Sequence, residues 1–311
     1  MNHTRDHGGG LDAAIAQYGG TRTGWLDLST GINPVSYPSP SLPPDAWTAL
    51  PDKAAFTRLY GLARRFWQVP EGADIIAASG ASAIIAALPY VFPKGDVCIP
   101  GPTYNEHGAA FQAAGWRLGQ APGDVMVAVH PNNPDGRLWS KTELTAKSII
   151  IDESFGDVAP DASLMRLADR PGTVILKSFG KFWGLAGLRL GFAIGDPAII
   201  GQLRDLLGPW QVSGPALHIG AEALADPTWA DETRTRLQKD ALRLDTLLIS
   251  KGAEPLGGTT LFRLYRVQNA RAAQDQLARH HVWSRVFPYA DDWLRLGLPP
   301  TDRWAQLQDA L

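Results

Sequence analysis

Five short apolar runs in the middle of the chain constrain its fold more than any other feature of the sequence. They occupy residues 75–78, 97–99, 125–129, 149–151 and 174–176. Nearly continuous apolar strands of this length are typical of a sheet that helices cover on both faces. Segments of helical length with small or apolar side chains, residues 81–92 and 104–114, lie between some of these runs. The sequence therefore predicts an α/β fold with a largely parallel sheet.

The first 50 residues differ in composition from this middle region. They are rich in Gly and Pro, and one segment, residues 11–18, has a helical pattern, which Gly19 and Gly20 would end. Such a segment is better suited to lying across other elements than to forming a core of its own. We expect residues 1–50 to form an N-terminal arm that packs on a small C-terminal domain.

The pattern changes again after Pro209. Residues 231–250 carry leucines among charged side chains over the length of a long helix. Short strands are expected to follow near residues 261–265, 283–287 and 293–297. The sequence predicts a large α/β domain over residues 51–210 and a smaller α+β domain over residues 211–311.

Composition and charge exclude several classes of partner. The 311 residues include 29 basic and 31 acidic side chains, so no strong field attracts nucleic acid or a membrane surface. Cys98 is the only cysteine, which excludes an internal disulfide and a thiolate metal cluster, and we expect it to be buried in a strand. No apolar run has the length of a membrane span or a signal core. We therefore expect a cytoplasmic protein with a small-molecule partner and no metal site.

Residues 178–191 bring a lysine, a hydroxyl group, an arginine and several glycines into one short run. Lys181 follows an apolar strand pattern, with Ser178 three residues before it and Arg189 eight residues after it. A partly desolvated lysine near another cation can form a Schiff base with an aldehyde, and an arginine can bind a phosphate. The glycines let the backbone turn tightly against a ligand. This combination predicts a pyridoxal phosphate site; the alternative is a glycine-rich turn with ordinary surface cations.

Polar residues also follow the ends of the other predicted strands, where open α/β sheets bind ligands. Ala81 and Ser82 open a helix, so that their N–H groups can cradle a phosphate. Tyr104 can lay its ring against a flat cofactor, although a core tyrosine fits the pattern equally well. Asn133 can donate to a phenolic oxygen, or it can simply form a polar turn. Asp152 ends its strand with a carboxylate that is costly to bury unpaired, and a protonated pyridine nitrogen would pair with it.

In their order along the chain, these residues resemble the fold type I pyridoxal phosphate enzymes. The similarity is greatest to the branch of histidinol-phosphate aminotransferases and threonine-phosphate decarboxylases, and it extends over most of the chain. The resemblance implies that Lys181 binds the cofactor aldehyde and that Asp152 pairs with the pyridine nitrogen, both as catalytic residues. It also implies that Asn133 meets the phenolic oxygen and that Tyr104 stacks on the ring. The implied phosphate contacts are Ala81, Ser82, Ser178 and Arg189.

The same resemblance implies a homodimer, with one departure from the family pattern. Relatives often have a tyrosine at the position of Leu50, which contacts the cofactor phosphate across the dimer interface. Leucine has no polar group for that phosphate contact. The sequence therefore puts the contact between the subunits in doubt, but not the dimer itself.

A substrate-binding residue is indicated near the C-terminus. Residues 293–297 resemble the strand that carries the substrate-anion arginine in this family, which assigns Arg295 to that role. The alternative is a surface arginine on an edge strand. Arg285 is a further candidate, because a doubly charged phosphate needs convergent donors.

Three features favour a decarboxylase over an aminotransferase. Residues 7–9 with 28–34, and separately residues 294–299, resemble threonine-phosphate decarboxylases of cobalamin biosynthesis. Phe155 stands where aminotransferases usually carry a tyrosine. The resemblance implies decarboxylation of L-threonine O-3-phosphate to (R)-1-amino-2-propanol O-2-phosphate, with His7 and Asn33 among the substrate-binding residues, although a solvated His7 fits equally well. The alternatives are an aminotransferase and a pyridoxal phosphate-binding regulator without turnover.

Overall fold

The computed structural model describes residues 7–120 and 123–311, and the chain divides into two compact units. The large unit comprises residues 36–133 and 137–232. The terminal unit joins residues from both ends of the chain, up to residue 35 and from residue 233, with the short stretch 134–136. Within the described residues, none of the helices combines the length and apolar character that crossing a bilayer requires.

Most of the predicted elements are present in the described chain. The helices are α1 Leu11–Tyr18, α2 Asp45–Thr48, α3 Lys53–Phe66, α4 Ala81–Ala87, α5 Asn105–Ala113, α6 Pro197–Leu207, α7 Gly214–Leu224, α8 Pro227–Ser250, α9 Ala270–Arg279 and α10 Trp304–Ala310. The strands are β1 Leu26–Asp27, β2 Asp74–Ala78, β3 Asp96–Cys98, β4 Arg117–Gly119, β5 Val125–Val129, β6 Ser148–Asp152, β7 Thr173–Ser178, β8 Gly191–Gly195, β9 Glu254–Thr259, β10 Phe262–Arg266, β11 Val282–Trp283, β12 Arg285–Phe287 and β13 Ala290–Gly297. The apolar pattern does not predict β4, whose three residues are exposed, or β8, which glycines bound at both ends.

The boundaries between the two units lie near residues 35 and 232, whereas the sequence predicts boundaries near 50 and 210. Within the large unit, α7 packs against both α2 and α3, which places residues 36–50 and 211–232 with the large sheet. Within the terminal unit, β1 pairs with β11. The difference arises because composition changes at Pro209, whereas packing changes later, within α8. The division into an arm, a large domain and a small domain stays a prediction.

The large unit is built on a seven-stranded sheet with the order β2-β8-β7-β6-β5-β3-β4. Strand β8 is antiparallel to both of its neighbours, and the other pairs are parallel. Side chains of the central strands are almost entirely buried, including Ile76, Ile150, Val174 and Leu176. Cys98 is also buried, as predicted. The expectation of an α/β fold with a mostly parallel sheet is confirmed.

The register of this sheet places the carboxyl ends of three strands at one edge. Strands β5, β6 and β7 are parallel neighbours, so their carboxyl ends lie side by side. Val129 is opposite Asp152, and Asp152 is opposite Leu176. The polar residues that end or follow these strands therefore lie close together, as open α/β sheets require of a ligand site.

The terminal unit contains an antiparallel sheet with the order β12-β13-β10-β9. Strand β13 lies between two neighbours, so Arg295 faces Arg285 on one side and Leu264 on the other. Only 5% of the Arg295 surface is exposed. The alternative of a surface arginine on an edge strand is wrong.

Candidate active site

One cavity in the large unit brings together all eight residues that the sequence assigns to a cofactor. They are Ala81, Ser82, Tyr104, Asn133, Asp152, Ser178, Lys181 and Arg189. They end or follow five strands, β2, β3, β5, β6 and β7, and Ser154 and Phe155 line the same cavity. The arrangement combines an amine, a carboxylate, hydroxyl groups and a guanidinium around a space with aromatic walls.

The Asp152 carboxylate is buried and is bonded at both oxygens. Oδ2 lies 2.8 Å from His107 Nε2, and Oδ1 accepts the Ser154 N–H at 2.9 Å. Burial acts to raise the pKa of Asp152, but the hydrogen bond and charge of His107, with the bonds from Ser154, bring it below its ordinary value. Asp152 is therefore a stable anion in an apolar environment, suited to pair with a cationic group.

Sequence reasoning missed His107. This side chain is fully buried on α5, and its ring meets the Tyr104 ring edge to face with centroids 6.1 Å apart. The available signal is its position three residues after Tyr104, because residues at that spacing share a helix face. A lone histidine in an alanine-rich helix does not reveal that its partner is a carboxylate 45 residues later in the chain.

Tyr104 is a neutral phenol in this cavity. Burial, followed by the charges of Asp152 and Glu106, raises its pKa to about 12, and Arg189 opposes them. The hydroxyl therefore keeps its proton throughout the physiological range, and the half-buried ring offers a flat face.

Lys181 lies in the turn between β7 and β8, where large aromatic side chains fix the backbone. Its Nζ is 5.3 Å from the centre of the buried Phe155 ring. Two residues later, the fully buried Trp183 donates from Nε1 to Asp157 Oδ2 at 3.0 Å and stacks on Phe179. These contacts hold the turn while leaving the Lys181 side chain on the cavity wall.

A buried ion network lies beside this turn. Lys177 Nζ is 2.6 Å from Glu153 Oε2 and 3.3 Å from Asp157 Oδ1. Burial alone would lower the pKa of Lys177, but the two carboxylates raise it above its ordinary value. Burial would likewise raise the pKa of Glu153, but Lys177 and further hydrogen bonds lower it. The network joins the ends of β6 and β7, next to Asp152 and Ser178.

Two glycines permit a close approach of backbone and side chain where Ala81 and Arg189 line the cavity. A Cβ at Gly191 would lie 2.3 Å from the Ala81 nitrogen. A Cβ at Gly80, whose φ is +86°, would lie 2.4 Å from Arg189 Nη2. Arg189 itself has a φ of +54° and donates to the Ala186 carbonyl oxygen at 3.1 Å. The close packing of Ala81 and Arg189 against these two glycines therefore depends on the absence of side chains at residues 80 and 191.

The predicted substrate residues all lie in the terminal unit. Arg295 donates from Nη2 to the Ser29 carbonyl oxygen at 2.7 Å. Burial, with a further contribution from Arg285, lowers the pKa of Arg295 to about 9, so the site disfavours a second cation and favours an anion. Asn33 is 2% exposed, and its Oδ1 accepts from Arg236 Nη2 at 2.7 Å. His7 is exposed.

Sequence comparisons with known proteins find matches over most of the chain. Residues 116–311 match the model of the aminotransferase class I and II family. Two threonine-phosphate decarboxylases, from Pseudomonas aeruginosa and a Sinorhizobium species, are each 38% identical to the chain, covering 98% of it and 97% of their own length.

Solved structures share the fold at lower identity. A histidinol-phosphate aminotransferase from Sinorhizobium meliloti in complex with pyridoxal-5'-phosphate has a TM-score of 0.83 and 18% identity, covering 97% of this chain and 93% of that one. The L-threonine-O-3-phosphate decarboxylase from Porphyromonas gingivalis has a TM-score of 0.72 and 19% identity, covering 86% and 93% respectively.

Proposed function

We propose that this chain, which belongs to the aminotransferase class I and II family, is a pyridoxal phosphate-dependent decarboxylase of cobalamin biosynthesis. Its substrate is L-threonine O-3-phosphate, and its product is (R)-1-amino-2-propanol O-2-phosphate. The observation that carries this proposal is the identity of 38% to two threonine-phosphate decarboxylases over nearly the whole chain. The cavity chemistry supports it independently of those names.

The side chains of the cavity suit pyridoxal phosphate. Asp152 offers an anion to the protonated ring nitrogen, and Lys181 offers an amine to the aldehyde. Tyr104 presents its ring face, and Asn133 can donate to the phenolic oxygen. The groups for the phosphate are the backbone of Ala81 and the side chains of Ser82, Ser178 and Arg189. When bound, the cofactor supplies an electron-accepting ring for the bond that breaks at the substrate Cα.

The chain itself supplies charge control and proton transfer. Asp152 stays anionic because His107 and Ser154 bond both of its oxygens, and a fixed anion keeps the paired ring nitrogen protonated. The bond from Cα to the carboxylate carbon breaks, and carbon dioxide leaves. Lys181 Nζ then donates a proton to Cα and is reprotonated from solvent, so that the product amine has one hydrogen where the substrate had its carboxylate.

The substrate anions are bound by Arg295, with His7 and Asn33, and Arg285 assists. The two arginines are directly opposite on neighbouring strands, where like charges destabilise the sheet unless an anion neutralises them. An arginine binds phosphate or carboxylate with paired hydrogen bonds. Burial and the neighbouring Arg285 lower the pKa of Arg295, so an anion bound next to this guanidinium would stabilise its charged form.

An aminotransferase is the alternative from the same family. Phe155 lines the cavity at the position where the resemblance places a tyrosine in aminotransferases, and it has no hydroxyl group to offer the cofactor. This observation favours the decarboxylase. A regulator that binds the cofactor without turnover remains the third alternative, and the complete set of Asp152, Lys181 and Arg189 argues against it.

A homodimer and a cytoplasmic location are further parts of the proposal. Large apolar side chains are exposed on the large unit, with Trp47 72%, Leu50 66%, Leu206 52% and Trp210 55% exposed. Trp210 lines a groove with Pro51 and Phe56. Exposed apolar side chains grouped around a groove often mark a protein interface, which supports a second copy of the chain as the partner. The location rests on the sequence alone.

The first experiment is an incubation of the cofactor-loaded protein with L-threonine O-3-phosphate in the absence of a keto acid. We expect equal amounts of carbon dioxide and the phosphorylated amine. Lys181→Ala should abolish both products, whereas Lys239→Ala, which alters an exposed lysine, should not. Conversion of the cofactor to its pyridoxamine form without carbon dioxide would establish the aminotransferase instead. Cofactor absorbance without turnover would favour the regulator.

A further inference from the structure

Ser29 uses every polar group that it has within the terminal unit. It is fully buried, and its N–H and its hydroxyl both donate to Asp27 Oδ1, at 2.9 and 2.5 Å. Its Oγ accepts the Gly9 N–H at 2.7 Å. Its carbonyl oxygen accepts from Arg295 Nη2, also at 2.7 Å. One residue therefore bonds the N-terminal segment, the end of β1 and the arginine of β13.

The directions of these bonds are determined by the chemistry of the partners. An ionised carboxylate can only accept, so the single hydroxyl proton of Ser29 points to Asp27. The Oγ lone pairs are then left to face the Gly9 N–H. A hydroxyl that donates to a carboxylate is a stronger acceptor, because hydrogen bonds in a chain polarise one another. Asp27 is itself fixed by the pairing of β1 with β11.

The N-terminal segment approaches the same carbonyl group that Arg295 binds. A Cβ at Gly8 would lie 2.4 Å from the Ser29 carbonyl oxygen. No side chain fits there without moving the backbone of Gly8 or of Ser29. The Ser29 carbonyl oxygen is thus approached from two sides, by the segment that carries His7 and by the guanidinium of Arg295.

We propose that Ser29 is a positioning residue for substrate binding, which holds the segment carrying His7 next to Arg295 before the substrate arrives. The inference rests on the proposed function, because that function assigns His7 and Arg295 to the substrate anions. Ser29 does not itself touch the substrate. A segment that is already held loses less conformational entropy when the substrate binds, so the bond to Gly9 strengthens binding without entering the chemistry.

The test compares Ser29→Ala with the wild type in the cofactor-loaded protein. The variant keeps the carbonyl bond to Arg295 and loses the acceptor for Gly9. We expect the KM for L-threonine O-3-phosphate to rise about tenfold, the effect of one hydrogen bond, with kcat nearly unchanged. Hydrogen exchange of the peptide that contains Gly9 should accelerate. Ser284→Ala is the matched control, since Ser284 is buried in the same unit and its hydroxyl has no hydrogen-bond partner among the described residues.

A double-mutant cycle separates positioning from a general loss of stability. If Ser29 acts through the segment, adding Ser29→Ala to His7→Ala should raise the KM by much less than tenfold. An unchanged KM in Ser29→Ala, a fall in kcat alone, or fully additive effects with His7→Ala would overturn the inference. The exchange measurement needs no substrate. If the wild type releases no carbon dioxide, the proposed function fails, while unchanged exchange in Ser29→Ala would separately refute the role of Ser29.

Discussion

His107 Nε2 lies 2.8 Å from Asp152 Oδ2, and both side chains are buried, although only Asp152 lines the cavity of the large unit. An acid at this depth would ordinarily become neutral, because burial disfavours its charged form. The histidine reverses that tendency and keeps the pKa of Asp152 below its ordinary value. The side chain that controls the charge of the site is thus one that does not line the cavity.

Removing His107 should therefore raise the pH at which the cofactor is lost. Asp152 has a lowered pKa in the folded protein. The stabilisation that its negative charge gives the bound cofactor is therefore fully present above the ordinary carboxyl pKa and is lost as pH falls through the lowered value. In His107→Leu that loss should occur at a higher pH, and cofactor affinity at pH 7 should fall about tenfold or more. The cofactor that stays bound is measured by its absorbance after gel filtration at a series of pH values between about 4 and 8, which includes the range where carboxyl groups titrate. His107→Gln keeps a donor and should lie between the two; identical curves for the wild type and His107→Leu would contradict the role.

Lys177→Met should destabilise the fold more than a typical substitution. It leaves the buried carboxylates of Glu153 and Asp157 without their cation, which costs about 3–5 kcal/mol of unfolding free energy at pH 7. Urea denaturation measures the loss. The combination with Glu153→Gln and Asp157→Asn removes the uncompensated charges and should recover most of it.

The same network predicts a pH dependence. Glu153 has a lowered pKa in the folded protein, so its stabilisation is present above the ordinary carboxyl pKa and is lost as pH falls through the lowered value. The difference in stability between the wild type and Lys177→Met should therefore shrink on acidification. A difference that does not change between pH 7 and about pH 4 would show that the ion network does not cause it.

Gly191→Ala and Gly187→Ala form a matched pair within one run. A Cβ at residue 191 would strike the Ala81 nitrogen, whereas a Cβ at residue 187 meets nothing within 4 Å. We expect Gly191→Ala to displace the start of α4 and to weaken cofactor binding at least tenfold, a loss on the order of one strong hydrogen bond. Gly187→Ala should bind the cofactor like the wild type. Equal affinities, measured by equilibrium titration with pyridoxal phosphate, would argue against a cradle at Ala81.

Trp210→Ser should weaken self-association. Trp210 is 55% exposed, and burying an aromatic side chain is worth a few kcal/mol. Sedimentation velocity at several concentrations should show a dimer for the wild type and a shift toward monomer in the variant. Leu242→Ser is the control, because Leu242 is an exposed apolar residue of α8 that does not line the groove containing Trp210. This variant should leave the assembly intact. A monomeric wild type would refute the homodimer.

The sequence by itself determined the sheet, the cofactor class and the family. Apolar runs such as residues 125–129 of β5 and 149–151 of β6 need no distant information, because burial on both faces requires continuous apolar side chains. The run around Lys181 is equally local, since its hydroxyl, amine and guanidinium lie within a few residues of one another. These predictions are confirmed, and the roles of the individual site residues stay predictions.

Only the tertiary structure decided which polar groups are paired. His107 meets a carboxylate 45 residues away, Arg295 meets the Ser29 carbonyl oxygen across 266 residues, and Lys177 neutralises two buried acids. The apolar pattern of a strand shows that a position is buried. The partner of a buried charge depends instead on the register of the sheet and on the order of its strands. The cost of burying an unpaired charge makes such partners necessary, and the fold alone determines which residue supplies each of them.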